Sequence, residues 1–255
     1  MTQLTISIPA YNDAPALESL VRESIHHASQ VTDDFEVLVI DDGSRDDTPD
    51  VLRRICQTTP RVRVHTHPQN LGFGPTIREV FVLPRSQWVF FIPGDGQIPP
   101  SALSMLYSRR EQADLLLGHR RHRSDSWGRR LNSWCYNLAI SLIARQRIRD
   151  VNSGGLLRRA ALEGVALESR SAFIHAEIAL EIVRHGGTLR EIPIEHRPRT
   201  HGRGSGSKLP VILATVADLG RYLWRRAVRR KTPPVGLTGG IDDDHAKVQS
   251  GDAAR

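Results

Sequence analysis

The sequence predicts an α/β fold with a mostly parallel central sheet flanked by helices. Over the first hundred residues, short apolar or alternating runs take turns with segments of helical period, the pattern of βαβ units. Polar strings containing Gly or Asp follow three of these runs, where the loops at the carboxyl edge of such a sheet would lie. The chain has 255 residues with 39% hydrophobic content, enough to bury one large core, so a single domain with terminal trimmings is expected.

Leu4–Ile8 alternates and reads as the first strand. Leu17, Leu20, Val21, Ile25 and Ala28 then share one helical face. Phe35–Ile40 is the second strand, and Thr48-Pro49 opens a helix as an N-cap followed by proline at the first helical position. Strands at Val62–His65 and Trp88–Ile92, a helix over Pro100–Gln112 and a strand at Asp114–Gly118 follow. Leu131, Trp134, Cys135, Leu138 and Leu142 form the apolar stripe of a further helix and are expected to face the core. A strand near Gly155–Leu157, a helix over Ala176–His185 stopped by Gly186-Gly187, and a strand at Leu189–Ile194 lead to the end of the expected domain, residues 1–208. A last helix spans 209–231. Residues 232–255 are rich in Gly, Asp and Pro without apolar period and read as a disordered tail.

The formal charge of +7 suits nucleic acid, anionic lipid or a phosphorylated substrate. Aromatic residues make up 5% of the chain, whereas nucleic-acid binders more often interleave aromatics with their basic residues, so no nucleic-acid partner is expected. Cys56 and Cys135 are too few for a disulfide framework or a cysteine metal cage and fit a reducing compartment. The first residues show neither a basic segment nor a signal-length apolar run, and a cytoplasmic location is expected.

Three polar strings carry the chemistry: Pro9-Ala10-Tyr11-Asn12-Asp13, Asp41-Asp42-Gly43-Ser44 and Pro93-Gly94-Asp95-Gly96-Gln97. Singly, each reads equally as a loop with a helix cap. Together, at the ends of neighbouring strands, they place two or three carboxylates around one crevice. Such a group suits a divalent cation bridging to a diphosphate, or hydrogen bonds from ribose and base.

The order of these strings resembles family 2 glycosyltransferases, and within them the dolichol-phosphate mannose synthase-like group. Further matching strings are Asn70-Leu71-Gly72-Phe73-Gly74, Gly118-His119-Arg120, Arg149-Asp150-Val151-Asn152-Ser153-Gly154, Ala176-Glu177-Ile178 and Glu191-Ile192-Pro193-Ile194, so the resemblance covers about residues 4 to 208. It implies a GT-A type fold, an inverting hexosyl transfer, a UDP- or GDP-sugar donor and a divalent metal, Mg²⁺ or Mn²⁺. Carried residue by residue, it implies that Pro9, Tyr11, Asp13, Asp41 and Asp42 hold base and ribose. Asp95 matches the second aspartate of the family's Asp-X-Asp metal motif, and Gln97 a further ligand. Pro93 stands where the first aspartate would be, so a bidentate clamp cannot form. Arg120, Arg130 and Arg199 match phosphate-contacting arginines.

The Glu-Asp base string and the Gln-X-X-Arg-Trp motif usual in family 2 enzymes that glycosylate a sugar hydroxyl are both missing from this sequence. A phosphate acceptor is already anionic and needs no general base, so cationic positioning would carry more of the work. Arginine suits that role through paired N–H donors. Glu177 is the alternative, as an acceptor-side base or in the shell of the metal, for a soluble hydroxyl acceptor. The last helix sets Ile212, Val216, Leu219 and Leu223 at helical spacing before a basic end, Arg221 to Lys231. Such a helix suits the surface of an anionic membrane and equally suits packing on the domain. The expected acceptor is therefore a polyprenyl phosphate met peripherally at the inner membrane face. A nucleotidyltransferase or a Rossmann dehydrogenase would show a glycine-rich loop after strand one, which Pro9–Asp13 is not. A non-catalytic nucleotide-sugar binder is the rival from another class.

Overall fold

The computed structural model describes residues 2–120, 127–197 and 209–231. Seven strands form one sheet: β1 (Leu4–Ala10), β2 (Phe35–Asp41), β3 (Val62–Thr66), β4 (Trp88–Phe91), β5 (Leu115–Arg120), β6 (Gly155–Arg158) and β7 (Leu189–Ile194). Their spatial order is β3-β2-β1-β4-β6-β5-β7. Of these, β6 alone runs against the rest, pairing antiparallel with both β4 and β5. The expected mostly parallel sheet is the one found. β4 is buried at every residue, as a strand covered by helices on both faces must be.

Helices α1 (Ala14–Ser29), α2 (Thr48–Thr58) and α4 (Ala102–Tyr107) cover one face of the sheet around Leu17, Leu52 and Leu103. Helices α3 (Phe73–Val82), α5 (Trp127–Ala144) and α6 (Ile174–Arg184) cover the other around Phe81, Ile140 and Phe173, joined by Tyr222 of α7 (Leu209–Lys231). Both clusters take strand side chains that alternate between faces, Val37 and Val39 on one side, Leu38 and Ile40 on the other.

Several sequence expectations need correcting. The helix expected over Pro100–Gln112 is shorter: α4 ends at Tyr107, and Arg110–Gln112 is a single 3₁₀ turn. α3 is not visible in the sequence pattern, because Gly72, Gly74 and Pro75 at its start look like loop, although proline is tolerated in a first helical turn. On α5 the expected core stripe is outside: Trp134 is 61% and Leu142 71% exposed, with Leu131, Cys135 and Leu138 also on the surface. The opposite side, Asn137, Ile140 and Ala144, packs instead. α7 is likewise split, with Asp218 and Tyr222 buried, Leu219 against the core, and Val216 and Leu223 exposed. Residues 232–255, read as a tail, lie outside the described residues.

Candidate functional site

Strand register carries the motifs to one edge of the sheet. Ala10 at the end of β1 opposes Asp41 at the end of β2, and Ser7 opposes Phe91 at the end of β4. Because β6 runs backwards, its first residue, Gly155, opposes both Phe91 and Leu117, so the segment leading into it opens on the same edge. The end of β7 does too, since Ile194 pairs with Arg120. Residues 11–13, 42–47, 92–97, 149–154 and 195–197 therefore converge beyond the carboxyl ends of the parallel strands, where open α/β sheets bind ligands.

On the β1–β2 side the loops are laced together. Asn12 adopts φ 55°, a left-handed conformation that Asn tolerates better than most residues. Its N–H donates to Ser44 Oγ at 2.9 Å, and its Oδ1 accepts the Arg45 N–H at 2.8 Å. The Asp13 N–H donates to Thr48 Oγ1 at 3.1 Å, so that hydroxyl holds the first loop and does not cap α2, the role the sequence suggested. Asp13 Oδ2 accepts the Tyr11 N–H at 3.1 Å, and Tyr11 is exposed.

Asp41 and Asp42 are both buried but differently occupied. Asp41 Oδ1 accepts the Ser44 N–H at 3.0 Å, while its Oδ2 is buried with no hydrogen-bond partner among the described residues. A carboxylate oxygen left so is costly, and a ligand hydroxyl or base N–H at this edge would satisfy it. Asp42 is already committed. Its Oδ1 accepts the Leu71 N–H at 2.8 Å and lies 2.8 Å from His67 Nδ1, and its Oδ2 accepts the Gly72 N–H at 3.0 Å.

Across the crevice, Gly94 donates its N–H to the Pro9 carbonyl at 3.1 Å. A Cβ there would sit 2.5 Å from that same oxygen, so this close approach requires glycine. It brings the 93–97 loop against the end of β1. Asp95 Oδ1 accepts the Gln97 N–H at 3.0 Å. The Gln97 carbonyl accepts the Arg197 N–H at 2.8 Å, and Gln97 Nε2 lies 3.4 Å from His196 Nε2. A carboxylate, an amide and an imidazole are thus carried by this loop and the segment bonded to it, residue types that fit a divalent cation. Pro93 adds no ligand. His196 was missed in the sequence; its signal is that it follows β7, whose parallel register with β5 delivers it to this edge.

The cationic side is built on Arg120. Its Nε and one terminal nitrogen meet the two oxygens of Asp150 at 2.6 and 2.7 Å, a two-pronged pair. Asp150 is itself anchored, since Glu191 Oε1 accepts the N–H groups of Arg149 and Asp150 at 2.6 and 3.0 Å. His175, also missed, stacks on Phe91 with ring centres 5.8 Å apart and lies 5.7 Å from Phe73. Burial first, and then the nearby Arg120 charge, push its pKa down to about 4, so it is neutral near pH 7. Arg130 is exposed on α5, and Arg199 lies outside the described residues.

Glu177 has a different setting from the one its motif suggested. It is buried on α6, with Oε2 accepting the N–H groups of Glu168 and Ser169 at 3.1 and 2.8 Å and Oε1 paired to Arg225 of α7 at 2.8 Å. The structure does not offer this carboxylate to the crevice as a free base.

The family model "Glycosyl transferase family 2" matches residues 5–165, which include most of the strings that build this edge. The chain belongs to the family 2 glycosyltransferases. Among curated relatives it is 31% identical over 216 residues to the undecaprenyl-phosphate 4-deoxy-4-formamido-L-arabinose transferase of Pseudomonas syringae pv. syringae, a match covering 82% of this chain and 62% of that protein. It is 26% identical to glycosyltransferase AglD of Haloferax volcanii, over 94% of this chain and 40% of that one. The chain thus spans less than two thirds of the length of these relatives.

Solved neighbours share the GT-A fold at low sequence identity. A mannosyltransferase from Pyrobaculum calidifontis in complex with GDP-Man and Mn²⁺ superposes with a TM-score of 0.63 at 17% identity, over 86% of this chain and 64% of that one. Glucosyl-3-phosphoglycerate synthase from Mycobacterium tuberculosis, with Mn²⁺, UDP-glucose and phosphoglyceric acid, also gives 0.63 at 17% identity, over 86% and 80%. As a GT-A fold, the sheet of this family 2 chain sets Pro9, Tyr11, Asp13, Asp41, Asp95, Gln97 and Arg120 along one edge, and keeps Glu177 beneath α7.

Proposed function

We propose that the protein transfers a hexosyl group from a UDP- or GDP-sugar to the phosphate of a polyprenyl phosphate, as a peripheral protein at the inner face of the cytoplasmic membrane. In this reading residues 1–208 are the catalytic domain and 209–231 a helix that borders the membrane. The observation that carries the donor half is the placement of two groups on one sheet edge: Asp41, with its unpaired buried oxygen, and the Asp95, Gln97 and His196 set. Tyr11, Asp13 and Asp41 would hold ribose and base. Asp95, Gln97 and His196 would hold Mg²⁺ or Mn²⁺, which when bound neutralises the charge of the diphosphate as it leaves.

The acceptor oxygen would displace the nucleoside diphosphate at the anomeric carbon with inversion. A phosphate acceptor needs no proton removed, which agrees with the full engagement of Glu177 and the neutral, weakly basic His175. Arg120 is aligned by Asp150 at the edge, and with Arg130 and Arg199 it would position the acceptor phosphate. The relatives named as undecaprenyl-phosphate sugar transferases support the same class of acceptor.

No helix of the described residues is long and apolar enough to cross a membrane. Two exposed apolar stripes support a peripheral position. Trp127, Leu131, Trp134, Leu138 and Leu142 line the outside of α5, and Leu209, Leu213, Val216 and Trp224 line that of α7. The test offers a labelled UDP- or GDP-sugar, with and without Mg²⁺ or Mn²⁺, to polyprenyl phosphate in detergent and to soluble hydroxyl acceptors. Transfer to the lipid phosphate is expected. Transfer only to soluble hydroxyls rejects the lipid acceptor, and donor binding without turnover makes the protein a nucleotide-sugar binder.

A further inference from the structure

We propose that His65, His67 and Glu79 form a second metal site, selective for zinc or a similar transition ion, on the flank of the sheet behind the nucleotide crevice. The three side chains each offer one donor atom, and these atoms all lie within 4.8 Å of one another. Glu79 Oε2 lies 2.7 Å from His67 Nε2 and 3.3 Å from His65 Nε2. A tetrahedral ion with bonds of about 2.0–2.1 Å spaces its ligands by about 3.3 Å, so side-chain shifts of a fraction of a bond length complete the site. The spacing follows from the fold. His65 and His67 are two residues apart at the end of edge strand β3 and share a face, and α3 lays Glu79 across it.

A second observation singles out His67 as a ligand. Its Nδ1 is hydrogen-bonded to Asp42 Oδ1 at 2.8 Å, which leaves Nε2 facing Glu79 and His65. A carboxylate behind an imidazole, fixing its tautomer and direction, is the arrangement that supports metal-ligating histidines. Exposure is graded in the same sense. The His67 side chain is 3% exposed, Glu79 28% and His65 43%, so the group opens to solvent on one side, where an ion enters and a water completes the shell.

The chemistry separates this site from the crevice. Two imidazoles and one carboxylate favour zinc, cobalt or nickel over the hard, oxygen-seeking Mg²⁺. The consequence runs through Asp42, which also holds the N–H groups of Leu71 and Gly72. An ion on His67 would therefore stiffen the 67–72 segment beside the end of β2.

The experiment titrates Zn²⁺ into the untagged full chain carrying Cys56→Ser and Cys135→Ser, which removes the exposed thiols. Excess Mg²⁺ is present and no donor or acceptor is added, so the result does not depend on the transfer reaction. One Zn²⁺ per chain is expected by calorimetry, with a rise in Tm of about 5 °C or more at a hundredfold excess over Kd. His65→Ala and Glu79→Gln should each weaken binding at least tenfold, while Asp95→Ala leaves it unchanged. Circular dichroism of both ligand variants checks that they are folded. Zinc affinity unaltered in His65→Ala and Glu79→Gln, zinc lost instead in Asp95→Ala, or no zinc bound at all would each overturn the proposal.

Discussion

Arg225, on the last helix, reaches Glu177 of α6 at 2.8 Å across 48 residues of sequence, and the carboxylate it meets is 1% exposed. The pair, with Glu168 as a further partner of Arg225, fastens α7 to the domain through a residue whose motif suggested catalysis. Removing Arg225 leaves a buried charge with only backbone donors, and Arg225→Ala should lose about 3 kcal/mol in urea unfolding. Glu177→Gln should lower stability too, yet retain turnover of the folded enzyme within about tenfold, where loss of a general base costs about 10²- to 10⁴-fold. A thousandfold fall in kcat at unchanged stability would return Glu177 to the chemistry.

Asp41 and Asp42 should respond differently to the same change. Asp41→Asn alters the buried oxygen that has no protein partner, and should weaken nucleoside diphosphate binding about tenfold or more while leaving the fold in place. Asp42→Asn loosens the acceptor of two backbone N–H groups and His67, so its first effect should be a lower Tm. Calorimetric titration of UDP and GDP, beside thermal melts, separates the two. Equal effects on both measurements for both variants would refute the division.

Asp95→Ala should nearly abolish turnover with an intact fold, because its carboxylate is the charged member of the proposed metal set. Gln97→Ala and His196→Ala should be milder and partly rescued by raised metal concentration, since neutral ligands contribute less to a hard cation. The check is initial rate against Mn²⁺ concentration. Wild-type rates in folded Asp95→Ala would remove the metal set from this edge.

Gly74, from the Asn70–Gly74 string, is a packing glycine. A Cβ there would lie 2.3 to 2.4 Å from backbone atoms of Arg170, whose carbonyl accepts the Gly74 N–H at 3.2 Å. Backbone cannot yield as a side-chain tip can. Gly74→Ala should therefore cost about 2 kcal/mol or more by displacing α3 from the 170–171 segment, read by denaturant unfolding.

Asp218 ties α7 to that same segment, its Oδ2 accepting the N–H groups of Arg170 and Ser171 at 3.0 and 2.8 Å. Burial opposes its charge, but these donors and the Arg221 guanidinium outweigh it and hold the carboxyl below the usual aspartate range. A lowered folded pKa means that the stabilisation is present above the unfolded value of about 3.9 and is lost as pH falls through the folded one. Wild type should exceed Asp218→Asn in stability at neutral pH, and the gap should close in acid. A gap that stays constant down to pH 2 would contradict this.

The sequence by itself determined the sheet and the edge where function gathers. Runs such as Val37–Ile40 and Trp88–Phe91 are apolar because both faces of a parallel sheet are covered, and strings such as Asp41–Ser44 and Gly94–Gln97 must then be the loops at its carboxyl end. These are local signals, carried by neighbours in the chain. Periodicity also showed that Leu131, Trp134, Leu138 and Leu142 share a side of one helix, but not what covers that side, and in the fold it is left open. Which carboxylates are spent on structure was decided by partners far apart in sequence: Arg225 for Glu177, His67 and the 71–72 amides for Asp42, Arg120 for Asp150. The same holds for His196 beside Gln97 and for Glu79 beside His65 and His67. A side chain's chemistry is set by the groups within a few ångströms of it, and where those lie tens of residues away, only the tertiary structure assigns them.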